Sequence, residues 1–292
     1  MLRFSLKKQV GPGDPKTVCE FLAQASGLSK SKVKDAMNKG AAWRRRRGRR
    51  ERIRRATAPV RAGEALELHY DQRLLSIEPP DAELISDCEH YSVWHKPAGL
   101  MTQGTNYGDH CSLLRQAELF FPLQREAFLV HRLDREAGGL VLIAHSKVAA
   151  ARLSSLFQAN RIVKRYRVVV RGSPGPQDHR GVIDLPLDAK PAHTQYRVCS
   201  YDVNSDTGIL EVVMKTGRLH QIRRHLDMLG YPVMGDPRYG KNNKNTEGLQ
   251  LTAWSLEFVC PFSGKDMVFS VDSLTPESAG RGTEGRVPKP ED

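Results

Sequence analysis

The sequence predicts an α+β protein: a small basic N-terminal α/β module followed by a larger domain on a mixed, largely antiparallel sheet with flanking helices. Three observations predict this. Helical periodicities alternate with short turn-linked strands, without the regular strand–helix–strand repeat of a parallel sheet. The charge is uneven: residues 1–70 hold 18 Lys+Arg against 6 Asp+Glu, and the rest of the chain holds 27 of each, so the whole net charge of +12 lies in the first quarter. Pro79-Pro80 interrupt a polar stretch between the two parts. The expected organisation is therefore a basic module over 1–70, a linker over 71–84, a body over 85–275 and a disordered tail over 276–292, where Gly, Pro, Glu and Arg dominate.

Within the module, Val18, Phe21, Leu22 and Ala25 recur at helical spacing, and Gly27 ends that helix. Ser29 is placed to cap a second helix over 31–39, with Val33, Ala36 and Met37 on one face and Gly40 at its end. A basic loop follows, Arg44 to Arg55, with nine Arg in twelve residues. Gly63 marks a turn, and Leu66, Leu68 and Tyr70 alternate as a strand. In the body, 166–170, 194–198 and 209–214 read as strands, the last alternating poorly, as burial on both faces would require. Lys147 to Ala159 places Ala150, Leu153, Leu156 and Phe157 on one helical face.

Composition narrows the function classes. Hydrophobic residues make up 39% of the chain, enough for a core, and the longest apolar runs fall far short of the roughly 20 residues of a membrane helix. No signal-peptide pattern opens the chain. The five Cys are scattered without a Cys-x-x-Cys pair, which argues against a zinc ribbon or a disulfide framework and for a reducing cytoplasm. Dinucleotide, Walker, zinc-protease and serine-hydrolase signatures are all missing. The basic run is too lopsided to pair with itself, so Arg44, Arg45, Arg46, Arg47, Arg49 and Arg50 are expected to contact a polyanion, RNA first. A membrane surface is the weaker partner, because no amphipathic anchor accompanies the charge.

Three segments stand out for chemistry. His131-Arg-Leu-Asp-Arg-Glu136 precedes an apolar strand, a placement that holds Asp134 at the mouth of a sheet. Lys164-Arg-Tyr166 leads directly into a strand. Thr216 to His225 opens a helix after a glycine turn, with Leu219, Ile222 and Leu226 expected to face the core and Arg223 near His220 on an adjoining face. Each alone has an ordinary reading: a turn-capping Asp, a half-buried core Tyr and a basic amphipathic helix.

In order along the chain, HKPAGL (95–100), HRLDREAGGLVLIAHS (131–146), FQANRIVKRYRVVVRG (157–172), TGRLHQIRRHLDMLGYPVMGDPRYG (216–240) and LQLTAWSLEFVCP (249–261) resemble the pseudouridine synthases of the RluA type. The resemblance departs at Ala137-Gly138, where the family usually carries hydroxyl side chains. Residues 1–70 resemble the ribosomal-protein S-four-like RNA-binding domain, departing at the Arg-rich loop, where that domain usually shows a short hairpin. The resemblance implies isomerisation of uridine to pseudouridine in RNA with no cofactor or metal. It implies Asp134 as catalytic carboxylate at sugar or ring, Arg223 as its ion-pair partner, Tyr166 stacked on the uracil, and Arg132 at the vacated space or a phosphate. The implied substrate is large-subunit ribosomal RNA, with transfer RNA second, and the expected state is a cytoplasmic monomer. Two competing readings are a non-catalytic RNA-binding or ribosome-assembly protein that keeps the fold, and a base-removing glycosidase. The glycosidase normally needs two carboxylates.

Overall fold

The computed structural model describes residues 2–121 and 125–271; the tail expected over 276–292 lies outside the described residues. The chain divides into two compact units. One holds the described residues up to Pro80 together with Met101–Phe120; the other holds Asp81–Leu100 and the described residues from Phe121 onward.

The first unit comprises β1 (Arg3–Gln9), α1 (Val18–Ser26), α2 (Lys30–Asn38), β2 (Ala42–Arg46), β3 (Arg49–Arg52), β4 (Ala65–Asp71) and α3 (Gln72–Leu75). The strands form one antiparallel sheet in the order β1-β4-β2-β3. Thr17 caps α1 and Ser29 caps α2, each accepting a backbone N–H three residues on. Val18, Leu22, Val33, Ala36, Met37, Leu66 and Leu68 form the core beneath the sheet.

The Arg-rich stretch is not a loop. Arg47 and Gly48 both have positive φ (47° and 77°), and this two-residue turn pairs β2 with β3 as a hairpin. Nor is it wholly a solvated run, because its partners come from outside it. Glu64 and Glu67, each 6% exposed, meet Arg44 at 3.6 Å, Arg46 at 3.5 Å and Arg50 at 2.7 Å. Arg50 and Arg52 also stack on Trp43, and Arg52 and Arg54 pair with Asp109. Arg45, Arg47 and Arg49 stay exposed, without an ion pair among the described residues. The stretch 71–84, expected as a linker, contains α3 and the start of the next strand.

The second unit contains β5 (Glu83–Asp87), β6 (Tyr91–Lys96), β7 (Phe128–Leu129), β8 (Gly138–Ala144), α5 (Lys147–Gln158), β9 (Val163–Arg171), β10 (Arg180–Ile183), β11 (Thr194–Asp202), β12 (Thr207–Met214), α6 (Gln221–Met228), β13 (Leu251–Val259) and β14 (Asp266–Ser270); α4 (Leu113–Phe120) belongs to the first unit. Its sheet runs β10-β11-β12-β9-β13-β8-β6-β5, with β14 added at β13 and β7 at β8. Every pairing is antiparallel except β13 with β8. This is the mixed, mostly antiparallel α+β architecture the sequence predicts.

β8 is buried along its whole length, as its unbroken apolar sequence requires. Leu140, Leu142 and Ala144 pack with Ala149, Leu153 and Leu156 of α5 and with Leu256 and Phe258. At the parallel pairing Gly139 has φ +117°, and a Cβ there would lie 2.2 Å from the Ala253 carbonyl oxygen, so only glycine fits. β12 does alternate, contrary to the expectation of two buried faces: Gly208, Leu210 and Val212 are buried and the residues between them are half-covered. Its Ile209 and Val213 are apolar on the half-covered face, which hid the period.

Candidate active site

The described residues of the second unit bring Asp134, Arg223 and Tyr166 to one place. The loop carrying Asp134 is clamped from beneath by a residue the sequence reading passed over. Lys96, fully buried at the end of β6, donates to the carbonyls of Ala137 (2.6 Å), Leu100 (2.8 Å), Pro97 (3.1 Å) and Arg135 (3.3 Å). Burial lowers its pKa to about 8, against the opposing pull of Asp134 and Glu136. Arg135 and Gly99 close the clamp through paired backbone and side-chain hydrogen bonds. At the start of the loop, His131 accepts the Leu142 N–H on Nε2 at 2.9 Å and stacks on Phe157. Burial drives its pKa down to about 3, so the ring is neutral.

Arg223 is supplied by α6, an eight-residue helix with an unusual start. His220, at the N-cap, sits in the left-handed region (φ 51°) and makes no side-chain cap. Gln221 instead anchors the turn that precedes the helix. Its Oε1 accepts from Thr216 Oγ1 (2.8 Å) and the Arg218 N–H (3.0 Å), while its Nε2 donates to His193 O (3.0 Å) and Thr194 Oγ1 (2.9 Å). One buried amide thus ties the turn and the helix to β11, and His225 joins the same Thr194 hydroxyl at 2.9 Å. Because the left-handed residue breaks the helical phase, Leu219 lies outside the helix and is 61% exposed. The expectation that it faces the core fails, while Ile222 and Leu226 do face it.

Arg223 is 1% exposed and is shared between two carboxylates. Nη1 reaches Asp134 Oδ2 at 3.1 Å, the pairing the motif implies. Nε and Nη2 grip Asp236 in a bidentate fork, at 2.7 and 2.8 Å. Asp236 is fully buried and also accepts the backbone N–H groups of Arg238 (2.8 Å) and Tyr239 (3.1 Å). Burial alone would raise its carboxyl pKa, but these donors outweigh burial and hold it below the usual range. The same carboxylates hold the Arg223 guanidinium protonated despite its burial. The sequence reading missed Asp236. Its Gly-Asp-Pro setting was the only signal, and that reads equally as a turn.

Asp134 keeps 19% of its side chain exposed. Its other oxygen, Oδ1, is 3.8 Å from His220 Nε2, and His220 Nδ1 lies 3.0 Å from the Tyr239 hydroxyl. Glu136 stands 3.7 Å from Arg223 and is more open. Tyr166, on the buried side of β9, is 6% exposed, and its hydroxyl pKa is raised by burial and by Asp134. Arg132 is exposed beside the loop. Among the described residues no group of three His, Cys, Asp or Glu side chains is arranged to hold a metal. The site therefore offers a partly open carboxylate held beside a buried guanidinium, with the Tyr166 ring and the His220 imidazole near it.

Residues 90–228, which include Asp134, Tyr166 and Arg223, match the RNA pseudouridylate synthase family. An uncharacterized RNA pseudouridine synthase of Chloroflexus aurantiacus is 33% identical over 74% of each chain. The ribosomal large subunit pseudouridine synthase D of Zymomonas mobilis is 30% identical over 67% of this chain and 71% of its own. The dual-specificity RNA pseudouridine synthase RluA of Salmonella typhi is 32% identical over 63% of this chain and 89% of its own. The solved human RNA pseudouridylate synthase domain containing 1 shares the fold, with a TM-score of 0.57 at 21% identity over 68% of this chain and 86% of that one. By fold, motif order and these relatives, the chain belongs to the RluA-type RNA pseudouridine synthases, which are isomerases.

Proposed function

We propose that this protein isomerises uridines in structured RNA, large-subunit ribosomal RNA first and transfer RNA second, with Asp134 as the catalytic carboxylate. The observation that carries the reading is the Asp134–Arg223 contact at 3.1 Å beside Tyr166. In the reaction the bond from N1 to the anomeric carbon breaks, the base turns, carbon five bonds to the sugar, the proton on carbon five leaves and N1 gains one. Asp134 attacks the sugar or the ring, and either route needs an ionised carboxylate in a closed pocket. Arg223 supplies the counter-charge.

Tyr166 offers its ring to the flipped uracil, a contact worth about 1–3 kcal/mol, set against a cost of a few kcal/mol for unstacking the target. With its pKa raised, its hydroxyl keeps its proton at neutral pH, so it can donate at the ring but not act as a base. In the first unit, exposed Arg45, Arg47 and Arg49 suit an RNA backbone. Relatives named for ribosomal and for dual-specificity modification support the substrate class. The non-catalytic reading leaned on Ala137-Gly138. Ala137 takes part through its backbone, donating its N–H to the Asp134 carbonyl at 3.3 Å and accepting from Lys96 at 2.6 Å, so no hydroxyl is required there.

The test is tritium release from RNA labelled at carbon five of uridine, using RNA from cells lacking the gene. Wild type should release label and Asp134→Asn none above background. Equal release by both would remove Asp134 from the mechanism; release by neither, on RNA shown to bind, would favour the non-catalytic protein.

A further inference from the structure

β9 places a charged side chain beside this site with nothing to balance it. Lys164 precedes Tyr166 by two residues, so strand alternation sends both to one face; Lys164, Tyr166 and Val168 are buried while Arg165 and Arg167 are not. Lys164 is 9% exposed, yet its ammonium makes no hydrogen bond and no ion pair among the described residues. It stands close enough to His131, at the head of the Asp134 loop, to help lower that imidazole's pKa. Neutral His131 has committed Nε2 to Leu142 and cannot be its counter-charge. Burial lowers the Lys164 pKa with no carboxylate to offset it.

The other two buried cations of the site are engaged, Arg223 by two carboxylates and Lys96 by four carbonyls. An uncompensated buried charge destabilises a fold. Its presence here makes sense when a ligand brings the missing charge. The ammonium is not fully sealed from solvent.

We propose that Lys164 is an anion-binding residue of the site, and that its partner is an RNA backbone phosphate at or next to the target uridine. The proposal rests on the reading of the site as one that receives a flipped uridine. Side chains two apart on one strand face sit about 6–7 Å apart, which is the reach from a nucleotide's base to its own phosphate. A uracil stacked on Tyr166 therefore carries its phosphate toward Lys164.

The test uses Lys164→Met, with binding of a fluorescent oligouridylate measured across a salt series and displaced by uridine or by uridine 5′-monophosphate. The variant should be at least as stable as wild type, since a buried charge is gone. Its slope of log affinity against log salt should flatten by about 0.7, the value of one single-strand phosphate contact. Wild type should prefer the monophosphate to uridine, and the variant should lose that preference. Acetic anhydride labelling of wild type, read by mass spectrometry, gives a second measurement: oligouridylate should protect Lys164.

An unchanged slope with the preference intact would overturn the proposal, as would equal labelling with and without oligouridylate. Equal weakening for uridine and its monophosphate would overturn it in favour of a uracil carbonyl contact. A flattened slope in a protein whose wild type releases no tritium would uphold the phosphate contact and sink the synthase reading.

Discussion

Replacing Asp236 with Asn should cost this protein far more stability than replacing Asp134 with Asn, although both carboxylates touch the same guanidinium. Asp236 is fully buried and accepts four hydrogen bonds, two from Arg223 and two from backbone N–H groups. An amide keeps one acceptor oxygen and turns an NH2 toward donors. Arg223, 1% exposed, then keeps the Asp134 hydrogen bond and a longer contact to the more open Glu136 at 3.7 Å. Breaking a buried pair from one side costs about 3–5 kcal/mol, and at about 2–4 °C per kcal/mol for a chain of this size the melting point should fall on the order of 10 °C. Asp134 is 19% exposed and accepts one bond from Arg223, so its Asn variant should lose only about 1–2 kcal/mol. The sign with pH is fixed by the depressed folded-state pKa of Asp236. Such a carboxyl contributes its full stability above the unfolded pKa of about 3.9 and loses it as pH falls through the folded value. Urea melts of the three proteins should show the Asp236→Asn deficit complete at neutral pH and shrinking below about pH 4. Equal midpoints for Asp236→Asn and wild type, or a deficit that grows on acidification, would refute the shared-guanidinium account.

Replacing exposed Arg45, Arg47 and Arg49 together by Gln should leave the melting point within about 1 °C, as surface changes do, while flattening the salt dependence of single-stranded RNA binding by about 2, three contacts at about 0.7 each; filter binding across a salt series reads it. Gly139→Ala should destabilise by at least about 1–3 kcal/mol, since it sets a Cβ against the Ala253 backbone at positive φ. Gly138→Ala, whose Cβ meets the Lys96 carbonyl oxygen at an ordinary 3.6 Å, should stay within about 0.5 kcal/mol by the same denaturant melts. Lys96→Met should loosen the Asp134 loop and cut turnover per folded molecule. Because burial holds the folded Lys96 near pKa 8, the unfolded chain binds the extra proton between about pH 8 and 10.5. Wild-type stability should therefore rise relative to Lys96→Met across that range, and a fall would show the ammonium is not desolvated.

Much of this was legible in the sequence, for identifiable reasons. The helix cap at Ser29, the all-apolar β8 and the α5 stripe each follow from local patterns that packing then uses. The Asp134–Arg223 pair joins residues 89 apart, and only the motif order linked them. What stayed hidden was set by long-range partners. The Arg run forms a hairpin whose acidic partners are Glu64, Glu67 and Asp109, all distant from it in sequence. Leu219 turns outward because a single left-handed residue at His220 shifts the helix start, which a helical wheel assumes away. Lys96 and Lys164 look like surface lysines in a linear reading, since nothing local marks a strand lysine as buried.

The division of Arg223 between two carboxylates has a chemical rationale. A carboxylate that accepts three or four strong hydrogen bonds is a weak nucleophile and a weak base, because attack must first break them. A carboxylate buried with no cation near it would instead be driven toward its neutral acid. Asp236 takes the saturated position: two backbone amides fix its carboxylate, and its two bonds to Nε and Nη2 fix the guanidinium plane. That leaves Nη1 aimed at Asp134, which receives the nearby positive charge through one hydrogen bond and keeps Oδ1 on the side of His220, 3.8 Å away. Lys96 fixes the loop through its carbonyls rather than through the carboxylate, so Asp134 is positioned without its carboxylate being consumed by hydrogen bonds. Charge compensation and orientation are thereby assigned to other residues, and Asp134 keeps an oxygen that accepts no hydrogen bond among the described residues, as the catalytic role proposed for it requires.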